Sequence, residues 1–462
     1  MSSDLTGGTD FRDAQRVTPH FDGSLLTGGD PGYDAARTVW NAMIDRRPRM
    51  IVRAASVADV VTAVRLARES ELELGVRCGG HNAAGFAVPA DGLMIDLTRM
   101  NAVRVDPVGR RATVQGGALL GALDRASQPY GLATTSGNVS HTGVGGLTLG
   151  GGMGWLARRY GLACDNVVSY RMVTADGEVV TASRTENPDL FWGLRGGGGN
   201  FGVVTDFEFA LHHIGTRALV AELDFPAEDA VPVLEGWRDL NADAPREATF
   251  TADVRSAPGG AIATVGFVWV GDPARGARLL PGLRALRCPV AERVTTPSYR
   301  ELQSRDDSTG GHTYRRYSSA HYLREFSTAA IEAFLLRGAA DVGTGSFRPD
   351  VGLQAYGGAI ADVADADTAF SYRGTRFEFG AGSRWTDPAE DDARIAAARA
   401  AGAALGPHAD GVYVNSLSAD EGRRGVRRAY PAAKLARLSD LKSVWDPRNV
   451  FHLNHNIPPV GE

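Results

Sequence analysis

Of the 57 glycines of this 462-residue chain, 17 fall in three clusters, at 79–85, 137–154 and 193–202. Glycine lets the backbone adopt positive φ angles and come close to a ligand, because it carries no side chain. No ordinary core segment requires so many small residues together. A long, flat ligand held between two subdomains would account for all three clusters.

The first glycine cluster follows a predicted strand at 72–77 and places His81 directly after two consecutive glycines. Successive backbone N–H groups in a glycine turn form a concave nest that binds pyrophosphate oxygens. His81 would lie at the edge of this nest, beside the group that the pyrophosphate carries. An ordinary glycine turn with a surface histidine also fits these residues. The other two clusters favour the ligand site, because they repeat the demand for close backbone approach.

The glycine strings do not match the common nucleotide-binding motifs. Residues 145–150 contain fragments of the Gly-x-Gly-x-x-Gly dinucleotide motif, but the buried strand before it and the acidic residue after it are missing. The P-loop motif Gly-x-x-x-x-Gly-Lys-Ser/Thr does not occur. The histidines show no metal-ligand spacing with carboxylates, so we predict no metal site.

Composition indicates a globular enzyme of two or three domains. Hydrophobic residues make up 43% of the chain and charged residues 22%, and no apolar run reaches the ~18 residues of a membrane span. The net charge of −5 gives no reason to expect a nucleic-acid or membrane partner. The cysteines are odd in number and far apart, which argues against a disulfide framework. The first ten residues lack the basic and apolar stretches of a signal peptide, so we expect a cytoplasmic protein.

The predicted elements change in character near residue 215. Before it, the pattern predicts strands at 50–53, 72–77, 93–97, 102–105 and 112–115, helices at 56–64 and 119–127, and a hairpin at 170–182. After it, the pattern predicts antiparallel strands at 218–225, 249–254 and 261–270 and helices at 327–337 and 388–405. A basic helix then begins near residue 422 and leads into the tail.

Four separated motifs together resemble the berberine bridge enzyme-like oxidases, which belong to the vanillyl-alcohol oxidase, or PCMH-type, group of FAD proteins. The motifs lie at 76–82, 143–154, 189–205 and 446–456. The resemblance is close over 35–215 and 410–458 and extends to the middle of the chain in general layout. It implies an α+β fold in which a bipartite PCMH-type FAD-binding domain, formed by 1–215 and 422–462, holds an inserted α+β substrate domain of antiparallel sheet and covering helices at 216–421.

The resemblance implies that His81 bonds covalently to the 8α-methyl group of FAD. An imidazole at that carbon makes the flavin a stronger oxidant and prevents loss of the cofactor. Many relatives add a second bond through a cysteine at the position of Val139, so this chain is expected to carry a single 8α-histidyl link. In this respect the chain is similar to singly linked bacterial members of the family, which favours a role in secondary metabolism such as antibiotic biosynthesis.

The family also implies which residues form the site. The implied cofactor-binding residues are His81 (covalent), Arg77, Cys78, Gly79, Gly80, Asn82, Gly85, Ser136, Gly137, Ser140, His141, Thr142, Gly143, Gly145, Gly146, Gly152, Gly202, Val203, Val204, Asn415, Asn454 and Asn456. The implied catalytic residues are Tyr413, Tyr356, Gln354 and Thr142.

The residues at the expected position of the catalytic base depart from the family pattern. Family members often use a Tyr-x-Asn-Tyr string on the sheet of the substrate domain, but residues 413–416 read Tyr-Val-Asn-Ser, so the second aromatic is missing. Tyr413 is then either the base or a buried structural residue. Gln354 and Tyr356 either line the same face or serve in packing. Thr142 lies where relatives place a residue at the flavin edge that dioxygen must reach.

The predicted function is oxidation of a small molecule by covalently bound FAD. Hydride would pass from a C–H of an alcohol, hemiacetal, phenol or amine to flavin N5, with dioxygen as the acceptor. One alternative is oxygenation or oxidative cyclisation of a polyketide-like substrate, and another is a flavin-binding protein without catalysis. We expect a monomer or a homodimer.

Overall fold

A computed structural model of the protein describes residues 22–258, 260–307, 311–337 and 347–461. Its helices are α1 Tyr33–Arg37, α2 Val57–Glu69, α3 Leu120–Ser127, α4 Val144–Leu149, α5 Ala157–Tyr160, α6 Pro188–Leu194, α7 Ala230–Ala242, α8 Pro273–Gly276, α9 Leu280–Arg284, α10 Tyr299–Ser304, α11 Thr328–Leu336, α12 Ala359–Asp362, α13 Asp391–Leu405, α14 Gly422–Ala429 and α15 Ala432–Trp445.

The strands of the described residues occur singly and in consecutive groups between these helices. They are β1 Ser24–Leu26, β2 Met50–Arg53, β3 Leu74–Arg77, β4 Leu93–Asp96, β5 Val103–Asp106, β6 Arg111–Gln115, β7 Leu132–Ala133, β8 Val167–Val173, β9 Val179–Ser183, β10 Val203–Ala210, β11 His212–His213, β12 Ala218–Pro226, β13 Ala248–Ala257, β14 Gly260–Val270, β15 Ala291–Thr295, β16 Arg315–Leu323, β17 Asp350–Ala355 and β18 Phe377–Trp385.

The N-terminal part of the chain contains two main sheets. The first has the strand order β1-β2-β4-β3, with β2, β3 and β4 parallel. Helix α2 connects two of these parallel strands and starts at a capping box, in which the Ser56 hydroxyl accepts a hydrogen bond from the Asp59 N–H. The second sheet is antiparallel, with the order β5-β6-β10-β8-β9.

The C-terminal segment packs back onto the N-terminal part. Leu438 and Leu441 of α15, together with Ile457, share one core with Phe201 and Phe207. A single packed unit is therefore built from the two ends of the described chain, as the bipartite prediction requires.

A seven-stranded antiparallel sheet dominates the middle of the chain, with the order β15-β12-β14-β13-β17-β18-β16. Helices α7, α11 and α13 cover one face, where Trp237, Phe334 and Leu405 are buried. The opposite face turns toward the N-terminal part, since the Asn138 amide donates to the Gln354 side-chain oxygen at 3.0 Å. This face is the one that can meet a ligand held between the two parts.

The elements differ from the sequence predictions mainly at their ends. The helix predicted at 388–405 starts with a 3-10 turn at Pro388–Glu390, and α13 begins at Asp391. The string at 413–416 lies in a 3-10 turn, Val414–Ser416, and not on the sheet. It follows Gly411, whose backbone forms an isolated bridge with the last part of β16. Among the described helices, none combines the length and apolarity needed to cross a bilayer.

Candidate functional site

A cleft of about 370 Å³ lies between the N-terminal part and the C-terminal segment. All three glycine clusters contribute to its walls, and the turn at 413–415 and the tail at 451–455 close it. The predicted residues that line it are Cys78, Gly79, Gly80, His81, Asn82, Thr142, Gly143, Gly145, Gly146, Gly202, Val203, Val204, Tyr413, Asn415 and Asn454.

The first two glycine clusters meet backbone to backbone at this cleft. A Cβ atom on Gly79 would overlap the backbone nitrogen of Gly143, so no larger residue fits there without a shift of the backbone. Gly80 has a φ of 68°, a conformation that residues with a side chain rarely adopt. The close approach brings the turn after β3 against the start of α4 and shapes the floor of the cleft.

His81 lies at the edge of the cleft between three neighbouring side chains. Its Nε2 is 2.6 Å from Nδ1 of His141, a contact in which one of the two nitrogens carries the hydrogen. Its Nδ1 is 3.3 Å from the Thr142 hydroxyl, and its ring stacks on Trp40 with 4.9 Å between the centroids. Burial, together with the neighbouring His141, lowers the pKa of His81 to about 3. The imidazole is therefore neutral near pH 7 and keeps a nucleophilic lone pair.

Tyr413 contacts the cleft with only 8% of its surface exposed. Its hydroxyl oxygen accepts hydrogen bonds from the Gly152 N–H and from the Asn415 amide, both at 2.8 Å. Burial raises the pKa of Tyr413 above its ordinary value. Near neutral pH the hydroxyl consequently keeps its hydrogen, which is free to be donated.

Tyr356 and Gln354 lie on the sheet, outside the lining of the cleft. The Tyr356 hydroxyl donates to Glu378 at 2.6 Å, and the Ser416 hydroxyl donates to the other oxygen of the same carboxylate at 2.9 Å. Burial raises the pKa of Glu378. The serine that replaces the expected aromatic residue thus joins a tyrosine and a carboxylate in one hydrogen-bonded group.

Glu378 was not predicted from the sequence. A signal was available, because Glu378 alternates with the buried Phe377 and Phe379 and must therefore point away from the helix-covered core. Trp40 was also missed, and its position in a loop, after α1, gave no pattern from which its contact with His81 could be inferred.

The other predicted residues surround the cleft without lining it. The Ser136 hydroxyl accepts a hydrogen bond from Gln303 at 2.7 Å, and the Ser140 hydroxyl donates to Asp307 at 2.6 Å. Arg77 donates to the backbone oxygen of Ala36. The remaining members of this outer group are Gly85, Gly137, His141, Gly152 and Asn456.

Several buried polar atoms of the site have no hydrogen-bond partner among the described residues. They include the side-chain oxygens of Asn82, Asn454 and Asn456 and Nε2 of His455. Buried polar groups are almost always hydrogen-bonded in folded proteins, so these atoms point to a ligand with both donors and acceptors. With the glycine-walled cleft and the neutral histidine at its edge, they fit FAD.

Family models match both ends of this arrangement. A model described as FAD binding domain matches residues 48–183, and one described as berberine and berberine like matches residues 412–458. YgaK of Bacillus subtilis, an uncharacterized FAD-linked oxidoreductase, is 30% identical over 448 residues, which cover 95% of this chain and 97% of the relative.

Solved structures of oxidases share the fold. The 6-hydroxy-D-nicotine oxidase from Arthrobacter nicotinovorans has a TM-score of 0.84 at 27% identity, over 95% of this chain and 99% of that one. The xylooligosaccharide oxidase from Myceliophthora thermophila, solved with xylobiose, has a TM-score of 0.85 at 25% identity, over 95% and 98% of the two chains. The predicted PCMH-type α+β fold is confirmed. The chain belongs to the berberine bridge enzyme-like family of FAD-linked oxidoreductases.

Proposed function

We propose that the protein is an FAD-dependent oxidase whose cofactor is held by a single covalent bond between His81 and the flavin 8α-methyl group. The observation that carries this proposal is the placement of a neutral, nucleophilic imidazole at the edge of the glycine-walled cleft. Val139 stands where a second linking residue would be, and valine cannot form such a bond.

The residues that would hold the cofactor follow from the cleft. The N–H groups around Gly79 and Gly143 would bind the pyrophosphate. The side-chain oxygens of Asn82 and Asn454 would accept hydrogen bonds from the flavin nucleotide. When bound, FAD accepts hydride from a substrate carbon and returns the electrons to dioxygen as hydrogen peroxide. Thr142, which contacts His81, is proposed to leave room for dioxygen because its side chain is small.

Glu378 is proposed to take the proton from the substrate hydroxyl or amine. A carboxylate with a raised pKa is a better base near neutral pH, and Tyr356 and Ser416 fix its orientation. Gln354 is held by Asn138 on the same face and would orient the substrate. Tyr413 accepts hydrogen bonds from the Gly152 N–H and the Asn415 amide, so it would keep the Gly152 turn in place. Its own hydroxyl hydrogen would be donated to the bound ligand.

The substrate is proposed to be a small metabolite with an oxidisable C–H beside oxygen or nitrogen. Structural relatives at 25–27% identity are named as oxidases of a hydroxynicotine and of a xylooligosaccharide, so both amines and sugars belong in a first screen. We also propose a role in secondary metabolism. Release of one peroxide per product identifies an oxidase, whereas incorporation of oxygen without peroxide identifies the oxygenating alternative.

The covalent link is tested by acid precipitation of the purified protein. We expect the yellow colour to stay in the pellet of the parent protein and of His452→Ala, an exposed histidine that serves as control. We expect it to appear in the supernatant for His81→Ala. A colourless parent pellet would show that no covalent bond is formed.

A further inference from the structure

The face of the large sheet that turns toward the cleft carries an open groove. Along β18 the residues on this face are Glu378, Gly380, Gly382 and Arg384, since alternate residues of a strand share a face. A Cβ atom at Gly380 or Gly382 would meet no other atom within 4 Å. Gly352 of the neighbouring strand β17 pairs with Gly380 and extends the same open floor.

One end of the groove carries two arginines that lie directly opposite each other. Arg316 of β16 pairs in register with Arg384 of β18. Like charges in directly opposed positions destabilise a sheet. Both guanidinium groups also approach the ring of Tyr314, with 5.4 Å and 5.6 Å between their central carbons and the ring centroid. The fold therefore keeps two cations together in a place where they repel each other.

The arginine pair belongs to a cavity of about 420 Å³ that two further arginines line, Arg348 and Arg394. Among the lining residues only Asp350 is acidic. Of the nearby carboxylates, Glu390 pairs with Arg394 at 2.8 Å, and Asp391 pairs with Arg315 outside the cavity. The described lining thus carries an excess of positive charge.

The cavity is linked to the candidate active site through Trp40. Arg316 is only 8% exposed, and its central carbon lies 3.9 Å from the centroid of the Trp40 ring. The Trp40 ring also stacks on His81, with 4.9 Å between the centroids. Burial, together with the charge of Arg384, lowers the pKa of Arg316. A bound anion would relieve this repulsion.

We propose that this arginine groove binds an anionic group of the substrate, a carboxylate or a phosphate, at Arg316 and Arg384. This inference rests on the proposed oxidase function, since it assigns the reacting end of the substrate to the Glu378 end of the groove. Arginine binds carboxylate and phosphate through parallel N–H donors, so the four arginines that line the cavity suit either group.

The distance between Glu378 and Arg384 along β18 sets the length of the substrate. Arg384 and Glu378 are separated by six residues of extended strand, or about 20 Å of backbone at roughly 3.4 Å per residue. The long arginine side chains shorten the span that a ligand must bridge. The substrate is accordingly extended, with its anionic group well separated from the carbon that is oxidised.

The anion site is tested by titrating the flavin-loaded protein with benzoate and, separately, with inorganic phosphate at constant ionic strength. The melting midpoint rises with the concentration of any ligand that binds only the folded state, and the rise gives its dissociation constant. We expect Arg384→Gln to weaken binding about tenfold, because a charge-assisted hydrogen bond is lost. Arg384→Lys should weaken it less, and Arg104→Gln, an exposed arginine on β5, should leave it unchanged.

A response to benzoate alone identifies a carboxylate substrate, and a response to phosphate alone identifies a phosphate ester. Equal dissociation constants for the parent protein and Arg384→Gln, or no rise of the midpoint in the parent, would overturn the proposal. The titration does not depend on turnover or on covalent flavin. A colourless acid pellet would therefore refute the covalent link and leave the measurement of the anion site unaffected.

A kinetic comparison tests the same site once a substrate is known. We expect a carboxylic acid to have a higher kcat/KM than its methyl ester in the parent protein. Arg384→Gln should remove this preference by raising KM for the acid with kcat retained, since the lost contact is made equally in the ground and transition states. An unchanged preference would contradict a role for Arg384 in recognition.

Discussion

Gly79 and Gly146 both line the cleft, but a side chain at each position would meet a different obstacle. A Cβ on Gly79 would overlap the backbone of Gly143, whereas a Cβ on Gly146 would meet no protein atom within 4 Å. The space beside Gly146 is therefore part of the cleft in which we propose that FAD binds. A glycine is therefore needed at position 79 for the backbone to pack, whereas we expect a glycine at position 146 to be needed for the cofactor to bind.

We expect Gly146→Ala to lower the flavin content while the free energy of unfolding of the apoprotein stays the same or rises slightly. Alanine stabilises a helix interior by roughly 0.5–1 kcal/mol relative to glycine, and Gly146 lies in α4. Gly79→Ala should instead destabilise the apoprotein. The ratio of flavin to protein absorbance and a urea unfolding curve measure both effects. Full flavin content in Gly146→Ala would show that the cofactor does not approach α4.

Thr142→Leu tests the proposed path of dioxygen. The larger side chain would fill the space beside His81, so we expect flavin reduced anaerobically to reoxidise at least tenfold more slowly in air. Thr142→Ser, which keeps the side chain small, serves as the matched control. Reoxidation of the leucine variant at the parent rate would contradict the proposal.

Helices α3 and α10 are held together by a buried polar contact next to the second glycine cluster. Gln303 of α10 donates its amide to Asp124 of α3 at 3.3 Å and to the backbone oxygen of Gly137 at 3.0 Å. Asp124 is 2% exposed, and burial raises its pKa to about 7 against the partial opposition of Gln303. One element of the middle part thus positions a loop of the FAD-binding part through a carboxyl group that favours its neutral form.

This contact predicts a pH dependence of stability. Between pH ~4 and pH 7 the folded state keeps the Asp124 proton that the unfolded chain has lost, so the free energy of unfolding falls as pH rises. The loss is on the order of 2–4 kcal/mol. Asp124→Asn removes the titrating group, so the variant should not show this loss. The difference in the free energy of unfolding between the variant and the parent should therefore shift in favour of the variant by this amount from pH 4 to pH 8. Parallel urea-midpoint profiles for the two proteins would contradict this assignment.

The elements around the first glycine cluster were predictable, whereas strands β16, β17 and β18 and the side-chain contacts of the site were not. The strand before the first glycine cluster and the cap at Ser56 follow from local patterns, and the structure contains both. The Asn138–Gln354 contact joins residues 216 positions apart, which no local pattern reports. Glu378 and Arg316 also lie in the middle part, where the family resemblance is limited to general layout. The domain boundaries at 215/216 and 421/422 remain a proposal.

At the scale of the whole molecule, the C-terminal segment contacts the third glycine cluster through a lysine that belongs to a buried ion pair. Lys442 and Asp446 are both fully buried and lie 2.7 Å apart. The Lys442 ammonium also donates to the backbone oxygens of Asn200, in the third glycine cluster, at 2.7 Å and of Phe451 at 2.9 Å. The tail is thereby fixed to the wall of the cleft through one cation.

We expect Lys442→Met to destabilise the protein by about 3–5 kcal/mol, because it leaves the Asp446 carboxylate buried without its cation. The exposed pair Arg437–Asp189 is the control, and Arg437→Met should cost less than about 1 kcal/mol. Urea unfolding of both variants measures the difference. Equal effects would show that the tail does not depend on this pair.

The cleft has walls that are far apart in the sequence, which affects the order of events during synthesis. His81 leaves the ribosome about 370 residues before His455, the last residue that lines the cleft. Protein synthesis adds roughly 5–20 residues per second, so roughly 20–75 s pass between the synthesis of His81 and that of His455. During this time the glycine turns lack the part of the cleft wall that residues 451–455 form. We therefore expect stable flavin binding only after residues 451–455 have been synthesised. A chain that stops before residue 451 lacks one wall of the cleft, so we expect it to retain little flavin.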